Sequence, residues 1–170
     1  MRSMRLTVWH LFAVLALVPA ASALAQNKQV ARTTEGEITR FASLRADDVN
    51  VRAGPGVRYP VKWKFVQRNM PVQVIAEYDT WRKIRDWEGA EGWVHRAMLS
   101  SKRSLIMVGH GQTLRKDATE DSAAVARLAP GYVVTVQRCR VEWCEVDAGG
   151  YEGWIKRDGT WGIAPGEKLH

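Results

Sequence analysis

The sequence predicts an all-β protein of two small β-barrels in tandem, and three observations predict it. Apolar and polar residues alternate with period 2 in short runs, beginning with Val49 and Val51 against Asn50 and Arg52. Turn residues end the runs, first of all Gly54-Pro55-Gly56. The same ground plan then returns at offsets of 61 to 63 residues. Leu114-Arg115 stands in the place of Val51-Arg52, and Val134 and Val136 in that of Val72 and Val74. Trp143 and Val146 replace Trp81 and Ile84, and Glu152-Gly153-Trp154-Ile155 replaces Glu91-Gly92-Trp93-Val94. A repeated set of short strands with no sustained helical period reads as two barrels.

The N-terminus is a separate matter. Arg2 and Arg5 precede an apolar run from Leu6 through Val18, Pro19 ends it, and small residues lead to Ala23-Leu24-Ala25. This is the charged, apolar and small-residue order of a cleavable signal peptide, expected over residues 1–25 with cleavage after Ala25 and a second possible site after Ala23. The run is short for a membrane span, so no stable membrane insertion is expected after cleavage. The expected localisation is periplasmic or secreted. Residues 26–40 (QNKQVARTTEGEITR) are polar without apolar period and read as a flexible arm.

Strand signals begin at Phe41–Ala46 and sharpen at Asp48–Tyr59, where a half-buried strand runs into the Gly-Pro-Gly loop. In Val61–Val66 the apolar Val61, Trp63 and Phe65 alternate with lysines, which puts one face on the core. Pro71–Tyr78 and Trp81–Arg85 flank Asp79-Thr80 and form a hairpin. Glu91-Gly92-Trp93-Val94 comes next, its glycine marking close backbone approach or a kink, and His95–Leu99 reads as one short 3₁₀ turn. The repeat restarts after Ser104, giving barrels over 41–104 and 105–167 joined by a brief link, so the two should touch.

Cys139 and Cys144 are the only cysteines, and an even count in an exported chain reads first as a disulfide. Zinc would need more ligands than His110 and His170 offer, and neither sits at ligand spacing. Subtracting 62 maps the two cysteines onto Glu77 and Arg82, so the second hairpin carries two thiols where the first carries an acid and a base. If these positions face each other across the hairpin, both pairs are clamps.

These residues resemble the bacterial SH3-like, or SH3b, domains: Val49-Asn50-Val51-Arg52-Ala53-Gly54-Pro55-Gly56 with Tyr59, then Trp81-Arg82-Lys83-Ile84, then Glu91-Gly92-Trp93-Val94. The chain is similar in particular to exported proteobacterial proteins with two such domains, in which features like Trp143-Cys144 and Trp161-Gly162-Ile163 before Pro165-Gly166-Glu167 recur. The second copy departs from the pattern, since Gln112–Glu120 (QTLRKDATE) has no Gly-Pro-Gly. The resemblance implies two SH3-like barrels used as docking modules, commonly beside the cell wall.

Catalysis is not expected. No G-x-S-x-G, H-E-x-x-H or phosphate loop occurs, Asp47-Asp48 are adjacent and so would point to opposite faces of a strand, and no catalytic residue, metal or cofactor is assigned. Removing Arg2 and Arg5 lowers the formal charge from +7 to +5, which favours acidic neighbours, but basic residues are scattered among acids and an exported chain is a poor candidate for nucleic acid. Binding candidates are Arg52, Arg58, Tyr59, Trp63 and Trp81, aromatic and cationic groups on or near the Gly-Pro-Gly loop. Trp63 reads more readily as core than as site, as do Trp93 and Trp154, and Gly54 and Gly56 as loop geometry. The expected ligand is peptidoglycan or a wall peptide held by the first barrel with the second as support. A periplasmic adaptor docking an envelope protein is the alternative.

Overall fold

The computed structural model describes residues 39–170; the expected signal peptide and nearly all of the polar arm lie outside them. The first seven strands are Arg40–Leu44 (β1), Val49–Arg52 (β2), Val61–Phe65 (β3), Pro71–Tyr78 (β4), Trp81–Arg85 (β5), Glu91–His95 (β6) and Leu99–Ser100 (β7). A single 3₁₀ turn at Arg96–Met98 precedes β7, as the sequence suggests. The next seven are Ser104–Met107 (β8), Gln112–Arg115 (β9), Ala124–Leu128 (β10), Val133–Cys139 (β11), Trp143–Asp147 (β12), Glu152–Lys156 (β13) and Thr160–Trp161 (β14). They form two seven-stranded sheets of one plan, β3-β2-β6-β5-β4-β1-β7 and β10-β9-β13-β12-β11-β8-β14. The expected all-β pair of small barrels is what the chain builds.

The repeat extends to irregularities that composition does not show. The register between β4 and β5 shifts between Val74 and Ala76, and that between β11 and β12 shifts between Val136 and Arg138, the same step 62 residues on. A second shift pairs Val51 with Trp63 but Arg52 with Val61, and its counterpart lies between Ala124 and Ala126. An extra residue in one strand reverses the facing of the residues beyond it. That is why Val61, expected on the core face with Trp63 and Phe65, is exposed while the other two pack against the core.

Each sheet coils around its own apolar cluster. Leu44, Val49, Val51, Val72, Val74, Ile84 and Val94 fill the first, and Leu105, Met107, Leu114, Val134, Val146 and Ile155 the second. Closure depends on Gly92 and Gly153. A Cβ on Gly92 would stand 2.4 Å from Val51 Cγ1, and one on Gly153 would stand 2.5 Å from the Arg115 carbonyl oxygen. Only glycine lets β6 and β13 pass so near β2 and β9.

The barrels touch through a polar and aromatic seam. Phe41 of β1 meets the Trp161 ring edge-on at 4.9 Å, and the Arg103 guanidinium lies 5.7 Å from the Phe41 ring. Arg103 also grips Glu167 with two hydrogen bonds, Nη1 to Oε1 at 2.5 Å and Nη2 to Oε2 at 3.1 Å, while Nη2 donates to the Gly162 carbonyl. Gly162 has φ 129°, and a Cβ there would meet the Ser104 carbonyl oxygen at 2.2 Å and Pro71 Cβ at 3.1 Å, so the turn is wedged between the barrels. Arg157 holds the same terminal segment by donating to the carbonyls of Glu167 and Ala164.

The condition for two hairpin clamps is met, since both pairs face across their strands. Glu77 faces Arg82 across β4 and β5, with Oε1 3.1 Å from Nε. Cys139 faces Cys144 across β11 and β12, with Cα atoms 4.1 Å apart and a disulfide between them. The cysteines are part of the second core, and Cys139 also exchanges backbone hydrogen bonds with Leu169, so the cross-link secures the C-terminal segment.

This wiring sets two expectations. Replacing both cysteines by alanine should lower stability by about 2 kcal/mol, the chain-entropy value for so short a loop. Glu77→Ala, which removes two partly exposed ion pairs, to Arg82 and to Arg40, should cost about 1 kcal/mol; chemical denaturation of the two variants compares them directly. The second expectation concerns acid. Hydrogen bonding from Arg103 holds the Glu167 carboxyl below its ordinary 4.5, with burial opposing and the Ala164 N–H assisting. A folded pKa below the unfolded one stabilises the protein above about pH 4.5, and that contribution is lost as pH falls through the folded value. Glu167→Gln should therefore be less stable than the parent by about 1 kcal/mol at pH 7, and denaturation at stepped pH should show the gap closing below pH 4.5.

Candidate functional site

The Gly-Pro-Gly loop is a built structure. The Arg52 guanidinium donates to the Tyr59 carbonyl at 2.8 Å and the Val57 carbonyl at 3.1 Å, while backbone bonds from Gly56 to Gly54 and from Tyr59 to Gly56 tighten the turn. A Cβ on Gly54 would lie 2.5 Å from the Tyr59 ring, so the ring packs flat on the glycine backbone. The Arg58 guanidinium stands 5.4 Å from the same ring, within cation–π range. Tyr59 is half-buried, and Val57 at the tip is 79% exposed. Three of the five predicted residues, Arg52, Arg58 and Tyr59, are thus together. Arg52 works from beneath as the brace that shapes the loop, and Arg58 and Tyr59 form its outer surface.

The other two lie apart from that surface. Trp63 leans onto the core below Gly92, its ring edge-on to Phe65 and Lys62 5.1 Å from its centre. Trp81 pairs with His95, whereas Arg52 pairs with Trp93. Trp81 is therefore two strand positions farther from the loop than Arg52, roughly 7 Å along β6. Its ring meets His95 edge-on at 5.5 Å.

Trp93 requires a correction, whereas Trp154 is buried as expected, though from the outer face. Gly92 and Val94 are buried, so Trp93 between them points to the outer face, and Gly153 and Ile155 place Trp154 likewise. Trp154 is only 6% exposed, yet it lies outside the core cluster. Its cover is Arg138 and Arg140, at 5.2 and 4.7 Å from the ring. Long basic side chains spread their apolar stems over an aromatic face, so burial comes from outside the barrel.

On the same outer face of the first barrel, Glu91 accepts from Arg85 at 2.5 Å and sits 3.1 Å from Lys83. The Arg85 hydrogen bond, with that from Lys83, holds its carboxyl below the ordinary glutamate value.

The second barrel carries a cleft that the sequence did not announce. It has a volume of 410 Å³ and lies between the β8–β9 connection, the outer face of β9 and β13, and the loop after β9. Trp143, the counterpart of Trp81, is buried at its wall, and the Lys156 ammonium lies 5.8 Å from that ring. Lys156 pairs with Glu120 across the opening. Arg115 donates to the Ser122 carbonyl at 2.8 Å, which repeats the brace of Arg52 on Tyr59 at the same 63-residue offset. The Gln112 amide donates to the Asp158 carbonyl and ties the opposite wall. Arg115, Lys156, Glu120 and Asp158 all line the cleft, two charges of each sign. What hid it is the spacing of its parts: its side chains come from four separate stretches, and the loop contributing Glu120 lacks the Gly-Pro-Gly signature.

Among the described residues no cysteine is free, no His, Cys, Asp and Glu group could hold a metal ion, and no helix is long and apolar enough to cross a membrane.

A family model described as the bacterial SH3 domain matches residues 45–101 and again 108–162. Among curated proteins, the chain is 26% identical over 126 residues to a Bacillus subtilis (strain 168) protein named "Putative N-acetylmuramoyl-L-alanine amidase YrvJ". That match takes in 64% of this chain and 24% of the relative, so the chain spans about a quarter of the relative's length. Among solved structures, NlpC2 from Trichomonas vaginalis is similar at 11% identity and a TM-score of 0.35, over 74% of this chain and 48% of that one. An NlpC/P60 family protein from Bacillus cereus ATCC 10987 is similar at 10% identity and a TM-score of 0.33, over 74% and 57%.

Proposed function

The chain belongs to the bacterial SH3 domain family, and from that premise we propose that it is a non-catalytic binding module of the cell envelope, periplasmic or secreted, that holds peptidoglycan or a wall peptide. Its working units are the domains over 41–104 and 105–167, and the first presents the Gly-Pro-Gly loop to the ligand. The observation that carries this reading is the Tyr59 ring, backed by the Gly54 backbone, flanked by Arg58 and left partly open to solvent. An aromatic fixed on one side and wetted on the other offers a rigid face to a sugar ring or a peptide bond at little entropic cost. The neighbouring guanidinium adds a donor for carboxylate or carbonyl oxygen.

The wall as the setting is supported by the likeness to a protein named as an N-acetylmuramoyl-L-alanine amidase. A non-catalytic role is supported by the use of both cysteines in one buried cross-link, which leaves neither as a nucleophile. Trp81 is assigned to the β5–β6 surface with His95 and not to the loop site.

Sedimentation with purified sacculi tests the proposal. Protein should pellet with sacculi, and Tyr59→Ala should weaken that binding by at least about tenfold, as expected for an aromatic anchor, with an unchanged circular dichroism spectrum. Failure to pellet rules the reading out. Capture of an envelope protein that survives wall digestion and is lost with Tyr59→Ala would turn the same surface into a protein-docking site.

A further inference from the structure

We propose that the cleft of the second barrel is a binding site in its own right, for a short zwitterionic peptide with a free amino group and a free carboxylate. Three features carry this. First, the cleft has the size of a small-ligand site, 410 Å³. Second, its charges are balanced and separated in role: Arg115 and Lys156 offer donors to a carboxylate, and Asp158 and Glu120 offer acceptors to an ammonium. The Asp158 carboxylate makes no contact with a described residue of its own, and Arg115 spends one donor on Ser122 with the rest of its fork available.

Third, the pair that now spans the opening is easy to exchange. Lys156 and Glu120 are 45% and 65% exposed, and an ion pair so open to water contributes little by itself. A ligand bearing both charges replaces each partner with one of the same sign, so entry leaves no charge unpaired. A neutral sugar does not, because it would separate the pair without satisfying it. Trp143 also offers a sugar no open face, being 8% exposed with the Lys156 ammonium near its ring. The first barrel lacks this arrangement, with His95 where Lys156 stands and Val57 where Glu120 stands.

The site is independent of the Tyr59 surface, so its test stands or falls apart from sacculus binding. Trialanine with free termini, N-acetyl-trialanine amide and tri-N-acetylglucosamine are titrated into the protein while the Trp143 indole N–H signal is tracked by NMR. The expected result is a saturable shift with trialanine alone, weakened by about fivefold or more in Lys156→Gln and in Asp158→Asn, both exposed changes whose spectra elsewhere should stay in place. No saturable shift up to about 10 mM trialanine, a range reaching beyond millimolar affinity, overturns the proposal. So does equal binding of the capped peptide or the sugar, or an affinity for trialanine unaltered by both substitutions.

Discussion

One place with no room for a side chain holds each barrel in shape. Where β6 crosses β2, and where β13 crosses β9, the backbones approach within the reach of a single methyl group, and Gly92 and Gly153 are the residues that permit it. Each crossing is held by a single register pair, Arg52 with Trp93 and Arg115 with Trp154. A sheet that could not make this approach would stay open and leave Val51 or Leu114 without cover. The crossing also fixes what faces outward. With glycine turned to the core, the tryptophan after it is turned away, and the arginine opposite it lies beside the loop that it then braces.

The same skeleton drawn twice separates what the fold needs from what function is free to vary. Bulges, crossing glycines, braced loops and facing hairpin pairs recur in both barrels. The content of each differs: an ion pair in one hairpin and a disulfide in the other, a tyrosine shelf in one loop and a lysine–glutamate latch beside the other. A cross-link in the second barrel is placed where it also secures the tail, and the tail is what Arg103 grips at the seam. The disulfide therefore acts beyond its own hairpin.

Period-2 alternation made most strands of the first barrel legible in the sequence, since burial on one face is what writes that pattern. The 62-residue offset mapped Cys139 and Cys144 onto Glu77 and Arg82 and left open whether each pair faces; a repeated bulge keeps both hairpins in step, and both pairs do face. Outward tryptophans were not legible. Trp93 looks like core by composition, and only the parity set by the adjacent glycine reveals otherwise; Trp154 is buried as it looks, but its cover of two arginines on the outer face was not legible. Nor was Val61 or the cleft at Trp143: a one-residue bulge reverses facing without changing hydropathy, and a cleft assembled from distant charged residues leaves no local signature.

The seam between the barrels gives this pairing its functional sense. Glu167, Trp161 and Gly162 from the end of the chain meet Phe41 and Pro71 of the first barrel and Arg103 of the link, so the second barrel's last segment is also part of the first barrel's boundary. Two domains joined by a loose tether explore many separations, and the gain from binding at two points falls as that freedom grows. A short link locked by a bidentate arginine clasp and an edge-on aromatic pair restricts it. Held so, the tyrosine shelf and the charged cleft keep a limited set of relative positions, which lowers the freedom that any contact made at both would have to give up compared with swinging domains.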